Sequence, residues 1–354
     1  MLNYGDDKLS ALEAKLNAQK IAFGPIMFQA ARALRNLGVL DLLMQNKKGL
    51  TKDDIASSLD IPPYGIKVLL EAGLSLEAVR VESDKWYLTK TGYYLQYDEL
   101  TRVNMDFTHD VNYLGMFQLE DSIRKGQPTG LKVFGNWSTV YEGLFELPTE
   151  AQKSWLNFDH FYSDCAYPEL LPTVFKSQPL RIMDVGGNTG KFALECMKFD
   201  PKVKVTIVDH PGQVKRAEES IKKAGYSERI DVVGTDLLNH NEALPTGANI
   251  IWMSQFLDCF SAKDVLSLLV RAKQAMSPDS RLFILEAYWD LQRFQASTYS
   301  LHATSLYFTN IANGCSQMYH SEDLKKLITE AGLEVEESHE NLGISHTLFI
   351  CKTK

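Results

Sequence analysis

Between residues 23 and 43, Ile26, Ala30, Leu34, Leu37, Leu40 and Leu43 recur at three- and four-residue steps, the spacing that lines side chains along one face of a helix. Gly38 falls inside this stretch and predicts a break near it. A second helix opens at Thr51, a residue type that caps helix N-termini through its hydroxyl, with Asp53 and Asp54 in the positive first turn. After Asp60-Ile61-Pro62-Pro63 a third helix is predicted over about 64–74, because proline suits a helix entrance and not its interior. Residues 79–81 and 86–88 flank the polar turn Glu82-Ser83-Asp84-Lys85 and read as a β-hairpin. Helix, helix, helix, hairpin is the order of a winged helix-turn-helix. A further helical stretch is predicted from Asp106 to about Arg124. Another begins at Pro148-Thr149, where Thr149 and Gln152 have capping-box spacing, and carries Trp155, Phe158, Phe161 and Tyr162.

The second half changes period. Short runs rich in β-branched and apolar residues occur at 181–185, 203–208, 230–233, 249–253 and 281–285, with helical patterns between most of them. Near-continuous apolar strands alternating with helices predict a parallel sheet covered on both faces. The tail differs, since 333–336 and 346–351 are joined through Asn341-Leu342-Gly343 with no helix, as an antiparallel hairpin would be.

The strand at 181–185 runs into Gly186-Gly187-Asn188-Thr189-Gly190 and then into a segment whose Phe192, Ala193, Cys196 and Met197 have helical spacing. Glycine lets backbone approach a ligand closely, so strand, bare loop and helix together suggest a nucleoside or phosphate site. The glycine order is not that of a dinucleotide site; it fits D-x-G-x-[G/N]-x-G, with Asn188 tolerating a left-handed backbone. Ligands of open α/β sheets bind at strand carboxyl ends. There the sequence puts Asp184, Asp209, whose carboxylate suits ribose hydroxyls, and Asp236-Leu237, suited to an adenine amino group and ring face.

Composition narrows the function classes. The 354 residues are 45% hydrophobic and 23% charged, normal for a globular protein of about two domains. No secretion signal opens the chain and no apolar run is long enough for a membrane span, so the expected location is the cytoplasm. Five cysteines without a C-x-x-C pair argue against a disulfide framework and a zinc site, and no metal is expected. The net charge of -8 disfavours nucleic acid and anionic membranes as partners. Residues 1–105 carry thirteen Lys and Arg against thirteen Asp and Glu, and the would-be recognition helix offers only Lys67 against Glu71. That helix shows Ile66, Val68, Leu69 and Leu70 instead, so burial against a partner subunit is expected rather than groove reading.

The glycine loop together with the strand-end acids resembles the first motifs of class I S-adenosylmethionine-dependent methyltransferases. With the winged-helix half, nearly the whole chain resembles the O-methyltransferase family typified by caffeate, hydroxyindole and polyketide O-methyltransferases. The resemblance implies an α/β fold: a Rossmann-like, doubly wound methyltransferase domain with a C-terminal antiparallel hairpin over 166–354, a helical linker and lid over 106–165, and a mainly α winged-helix dimerisation domain over 1–105. It also implies a homodimer, a small-molecule acceptor, and S-adenosyl-L-methionine held by Phe158, Tyr162, Asp184, Gly186, Gly187, Asn188, Gly190, Asp209, Asp236, Leu237 and Ser254. Phe158 and Tyr162 match the Phe and Met of the family's F-N-x-A-M segment, Tyr162 as a departure in type.

The catalytic positions depart further. Where the family reads V-L-H-D-W, with the His as general base, this chain reads Phe256-Leu257-Asp258-Cys259-Phe260. Glu286 matches the family's first orienting Glu, and Met318 falls where its second stands. An ordinary Asp near ~3.9 is about 2.6 units less basic than His near ~6.5, so Asp258 serves as base only if its pKa is raised. Two carboxylates in one apolar pocket raise one another, and Asp258 with Glu286 is expected to form such a pair. The competing role for Asp258 is a helix N-cap, for which Ser261 is better placed. His160, His302 and His320 are alternative bases. Met105, Phe107, Tyr299, His302, Leu306, Tyr307 and Asn310 are the expected substrate wall and suggest an aromatic or polyketide-like acceptor. Expected chemistry is methyl transfer to a hydroxyl. The alternatives are C-methylation of an electron-rich ring and a non-catalytic S-adenosylmethionine sensor with a winged-helix output.

Overall fold

The computed structural model describes residues 7–164 and 166–354. The chain forms two compact units, divided between Asp110 and Val111. In the first, α1 (Ala11–Ala22), α2 (Gly24–Asn36), α3 (Val39–Gln45), α4 (Lys52–Leu59) and α5 (Pro63–Ser75) precede a hairpin of β1 (Val79–Glu82) and β2 (Lys85–Leu88), followed by α6 (Lys90–Tyr97) and α7 (Glu99–Phe107). Leu34, Leu40, Leu43, Ile55, Ile66, Leu70 and Val79 make its core. Gly38, with φ of +81°, separates α2 from α3 as the hydrophobic pattern predicts. Thr51 accepts the N–H of Asp54, whose side chain accepts the N–H of Thr51 in return, so the cap closes as a box. Ser83 and Asp84 both have positive φ, the backbone of a two-residue turn whose twist matches that of its strands.

Two features of this unit depart from expectation. Helix α1 lies outside the expected elements and buries none of its residues. On α5, Ile66 and Leu70 enter the unit's own core while Val68 is exposed, so only part of that apolar face is free for a partner. Asp106 is held by Arg32 and Arg35 of α2.

The second unit opens with α8 (Leu119–Lys125), α9 (Val140–Gly143), α10 (Thr149–Asp164) and α11 (Tyr167–Val174). Five parallel strands follow, β3 (Arg181–Val185), β4 (Lys204–Asp209), β5 (Ile230–Gly234), β6 (Ile250–Ser254) and β7 (Arg281–Glu286), with α12 (Lys191–Phe199), α13 (Pro211–Ala224) and α14 (Ala262–Ala275) among them. After α15 (Gln295–Tyr307) and α16 (Ser321–Glu330), β8 (Leu333–Leu342) and β9 (His346–Thr353) finish the chain. The seven-stranded sheet runs β5-β4-β3-β6-β7-β9-β8, with β9 antiparallel to β7 and to β8. Order reverses at β3, which puts the crevice for a ligand at the ends of β3 and its neighbours β4 and β6. Trp252 of β6 is fully buried and stacks on Phe192 of α12 at 4.1 Å, one of the contacts that seat this helix on the sheet. Burying such a side chain contributes roughly 1.5–3 kcal/mol.

The helix expected over 106–124 is broken instead, into the end of α7, a π-helical turn at Thr108–Asn112, a 3₁₀ turn at Gly115–Gln118, and α8. Gly115 sits so close to Ile311 and the carbonyl of Gly130 that a Cβ there would lie 2.4 Å from the Ile311 side chain. The Gln152 amide donates to the carbonyl of Leu144 at 3.1 Å rather than completing a box with Thr149. No helix among the described residues is long and apolar enough to cross a membrane.

Candidate active site

The turn after β3 is shaped by positions that need bare or left-handed backbone. Gly186 and Gly190 have φ of +76° and +79°, and Asn188 takes +48° as the one side-chain-bearing residue of the three. A Cβ on Gly186 would lie 2.2 Å from the Phe256 ring, and one on Gly187 would lie 2.7 Å from Oδ2 of Asp184. The loop is thus backed by Phe256 and Asp184. At the end of β4, Asp209 accepts the N–H groups of Asn188 at 2.8 Å and His210 at 2.6 Å, which ties the loop to the neighbouring strand.

Asp184 is buried, and its Oδ2 has no hydrogen-bond partner among the described residues. Burial, then the charge of Asp209, lifts its carboxyl to about 8. Past β5, Leu237 is buried and exposed Asp236 caps its own turn by accepting the N–H of Leu238 at 3.0 Å. The hydroxyl of Ser254, at the end of β6, is buried and unpartnered among the described residues.

On the other side of the crevice, the chain leaves β6 through Gln255, whose φ of +45° turns the backbone toward β7. Glu286, the last residue of β7, is 3% exposed, and its Oε1 accepts the N–H groups of Phe256 at 3.0 Å and Leu257 at 2.8 Å. Asp258, 6% exposed, follows in a single 3₁₀ turn. Ser261, not Asp258, caps α14 by accepting the N–H of Asp264. Asp258 and Glu286 are both buried, and Glu286 holds the turn that carries Asp258. Burial lifts Asp258 to about 6, opposed by hydrogen bonds from the Cys259 thiol and from backbone N–H groups. Burial and then the charge of Asp258 push Glu286 well above the carboxylate range. Oε2 of Glu286 has no partner among the described residues.

Trp155 of α10 donates its indole N–H to the hydroxyl of Tyr307 at 2.6 Å. Tyr307 lies within electrostatic reach of Cys259, Asp159 and Asp258, and burial raises its pKa. Tyr141 of α9 is buried near Cys259, and burial raises its pKa well above the usual phenol value. Tyr319 donates to the carbonyl of Phe260 at 3.0 Å, and Asn313 to that of Cys259 at 2.7 Å, so both ends of the turn are fixed. Tyr141, Cys259, Asn313 and Tyr319 were not expected from sequence. Tyr141 stands on a four-residue helix with no periodicity to flag it.

The remaining expected residues divide. Phe158 and Tyr162 face each other on α10, ring centroids 4.9 Å apart, and the Gln255 amide donates to the carbonyl of Tyr162 at 3.3 Å, which brings this helix to the end of β6. His302 packs against Trp289 at 4.9 Å. Tyr299 is 78% and Leu306 43% exposed. Asn310 is fully buried: its carbonyl oxygen accepts the Ser122 hydroxyl at 2.7 Å and its amide faces Met116 sulfur at 3.7 Å, so its polar groups are spent on α8 and the turn before it. His320 caps α16 and lies 3.5 Å from Asp290, while His160 is 3.1 Å from the Lys191 ammonium. Met105 and Phe107 are buried in the first unit.

Comparison with known proteins gives this geometry a family. Residues 15–86 match the Dimerisation2-like domain and residues 117–334 the O-methyltransferase domain. The chain is 25% identical to an L-tyrosine C(3)-methyltransferase of Streptomyces lavendulae over 89% of its length and 86% of the relative. It is 29% identical to the acetylserotonin O-methyltransferase of Gallus gallus, over 74% of this chain and 75% of that one. In fold it is similar to the S-adenosylmethionine-dependent methyltransferase SibL, with a TM-score of 0.74, 23% identity, and coverage of 95% and 98% of the two chains. The O-methyltransferase domain spans well over half of the 354 residues, and the protein belongs to that family, as a methyltransferase whose cofactor is S-adenosylmethionine.

Proposed function

We propose that the protein methylates a small aromatic acceptor at a phenolic hydroxyl, with Asp258 as the base. The observation that carries this reading is buried Asp258, presented by a turn whose Phe256 and Leu257 N–H groups are accepted by buried Glu286 and whose Phe256 ring backs Gly186 of the glycine loop. The chain fits its cofactor: the loop at Gly186 and Gly187 is bare backbone, and the Ser254 hydroxyl and one oxygen of Asp184 are buried without partners among the described residues. Phe158, Tyr162, Asp184, Gly186, Gly187, Asn188, Gly190, Asp209, Asp236, Leu237 and Ser254 would hold it. Bound S-adenosylmethionine supplies an electrophilic methyl group for in-line displacement.

The chain's own part is to position the acceptor and take its proton. A base lifted to about 6 is roughly 2 units better matched to a phenol than an ordinary aspartate, worth about 3 kcal/mol of proton-transfer driving force. Glu286, pushed well up by burial and by the charge of Asp258, fixes through its Oε1 the turn that presents Asp258. Trp155, Tyr307 and Tyr141 add an aromatic, hydroxyl-bearing wall suited to a ring acceptor. Large apolar residues exposed on the first unit, among them Leu12, Ile21 and Ile26, support a homodimer through the dimerisation-type domain.

A second reading, methylation of a ring carbon activated by an ionised hydroxyl, is favoured by the relative named for C3 of L-tyrosine. Incubating the protein with methyl-labelled S-adenosylmethionine and a panel of phenols, and locating the label by NMR, decides. An aryl methyl ether supports the first reading and a ring methyl the second. No transfer to any phenol, with nitrogen acceptors labelled instead, would refute both.

A further inference from the structure

Helix α14 carries a buried arginine, Arg271, with no carboxylate bonded to it among the described residues. It is 4% exposed, and its one hydrogen bond among those residues runs from Nη1 to the backbone carbonyl of Leu237 at 2.8 Å. Its Nε and Nη2 are buried without partners among the described residues. The carboxylates of Glu242 and Asp236 lie within electrostatic reach and form no bond with it. Burying a guanidinium without a paired carboxylate is costly, and an apolar side chain would fill the same space more cheaply. The cost points to a task at the one group that Arg271 holds.

That group belongs to the loop after β5. The peptide between Leu237 and Leu238 is held on both sides: its carbonyl accepts from Arg271, and its N–H, that of Leu238, donates to Oδ1 of Asp236 at 3.0 Å. A charged donor on the carbonyl polarises the peptide and strengthens the bond that its N–H makes. Asp236 is exposed, and with Oδ1 turned back onto its own loop, Oδ2 is left to meet a ligand. The N–H of Asp236 donates to Oε2 of Glu242 at 3.1 Å, which fixes its backbone as well. Helix α14 grips the loop at a second point, since Asp264, about two helical turns before Arg271, is 2.9 Å from Nε2 of His240.

We infer that Arg271 is a positioning residue for cofactor recognition: through the Leu237–Leu238 peptide it orients the Asp236 carboxylate that meets the exocyclic amino group of adenine. The inference rests on the reading above in which Asp236 and Leu237 hold S-adenosylmethionine. It goes beyond that reading by placing part of the selectivity for adenine on a buried side chain of a helix, 34 residues away from the loop in sequence.

The test is calorimetry of the full-length protein with S-adenosylhomocysteine and with its hypoxanthine analogue, in which a carbonyl replaces the exocyclic amino group. The parent is expected to prefer the adenine ligand by about 10- to 100-fold, the worth of a hydrogen bond to a charged group. Arg271→Met should weaken the adenine ligand about 10-fold and the hypoxanthine ligand far less, so that the preference narrows; a merely structural loss would weaken both alike. Arg271→Lys, which keeps the charge, should restore most of the preference. Arg271→Gln, neutral but polar, makes the same comparison should Arg271→Met not fold. In an Asp236→Ala background Arg271→Met should narrow the preference no further, because the two residues act as one unit. An undiminished preference in folded Arg271→Met or Arg271→Gln, where Asp236→Ala does diminish it, overturns the inference and leaves Asp236 its role. If the parent shows no preference, or Asp236→Ala keeps it whole, the adenine reading of Asp236 falls and the inference with it.

Discussion

The two sides of the crevice at the sheet's carboxyl edge are built from different materials. On the β3–β4 side the working surface is backbone: Gly186, Asn188 and Gly190 in left-handed conformations, with an Asp209 carboxylate accepting main-chain N–H groups. Toward β6 and β7 it is side chains, with buried Asp258 and Glu286 on the turn that carries Cys259, and Tyr141, Tyr307 and its partner Trp155 nearby. The first arrangement depends on a spacing of small residues and tolerates nothing else at Gly186 and Gly187, where added atoms would strike Phe256 and Asp184. The second depends on which groups share a pocket, and can trade a His for an Asp if burial supplies the missing basicity. On the proposed roles, holding a cofactor and choosing a chemistry are separable tasks in one crevice.

The largest expected effect separates them directly. Asp258→Asn removes the proposed base and should lower kcat by about 10²- to 10⁴-fold while leaving cofactor affinity within a few-fold. Asp209→Asn loses the charge that accepts the Asn188 N–H and would accept ribose, so it should weaken cofactor binding by about 10- to 100-fold with a smaller loss in kcat. Calorimetry with S-adenosylhomocysteine and saturating turnover assays on both variants check the crossing. If Asp258→Asn turns over like the parent, or if both variants lose affinity equally, the division fails.

This difference in material also explains what sequence could show. The loop was legible because its glycines and Asn188 answer to local backbone geometry, and the sheet because its strands alternate with helices at a regular spacing. Asp258 and Glu286 stood out in the sequence only by matching family positions, Glu286 at the end of β7 and Asp258 in the turn after β6, and the structure buries both. Tyr141 was not, because its placement depends on Trp137 packing against Gly143, a contact with no period. Cys259 escaped because a lone cysteine says nothing until its neighbours are known. The break at Gly115 escaped for the same reason: its cause is Ile311, nearly two hundred residues away. Asn310, chosen from the spacing of a helix face, is bonded to Ser122 of α8, and helix period alone does not say which neighbour a buried face meets.

The intermediate effect joins the two sides. Gly186→Ala would place a methyl 2.2 Å from the Phe256 ring at a backbone φ of +76°, and should cost about 3 kcal/mol of folding stability. Phe256 also donates its N–H to Glu286, so displacing it disturbs the turn that presents Asp258. Gly186→Ala is therefore expected to lower both cofactor affinity and kcat, unlike either aspartate variant. Loss of affinity alone would show that Phe256 moves without carrying Glu286 with it, and the two sides would be more independent than the packing implies.

The smallest effect reads the buried acids through pH. Asp184 has a folded pKa near 8, set first by burial and then by Asp209, against an ordinary value near 3.8. A carboxyl raised on folding contributes stability that is complete below its unfolded pKa and is lost as pH rises through its folded pKa. Between these limits the folded form holds one more proton, so stability should fall by about 1.4 kcal/mol per pH unit from this group. Asp184→Asn removes that slope, and the gain in stability of the cofactor-free variant over the parent should grow with pH up to about 8 and then level. For Asp258→Asn, on the other side, the same gain should level once pH passes about 6, as Asp258 becomes ionised in the fold. Urea unfolding of the parent and both variants at pH 5 to 9 measures the two plateaus. Plateaus at one pH would mean that the two acids share an environment, and the contrast between a backbone-built and a carboxylate-built side of the crevice would lose its electrostatic half.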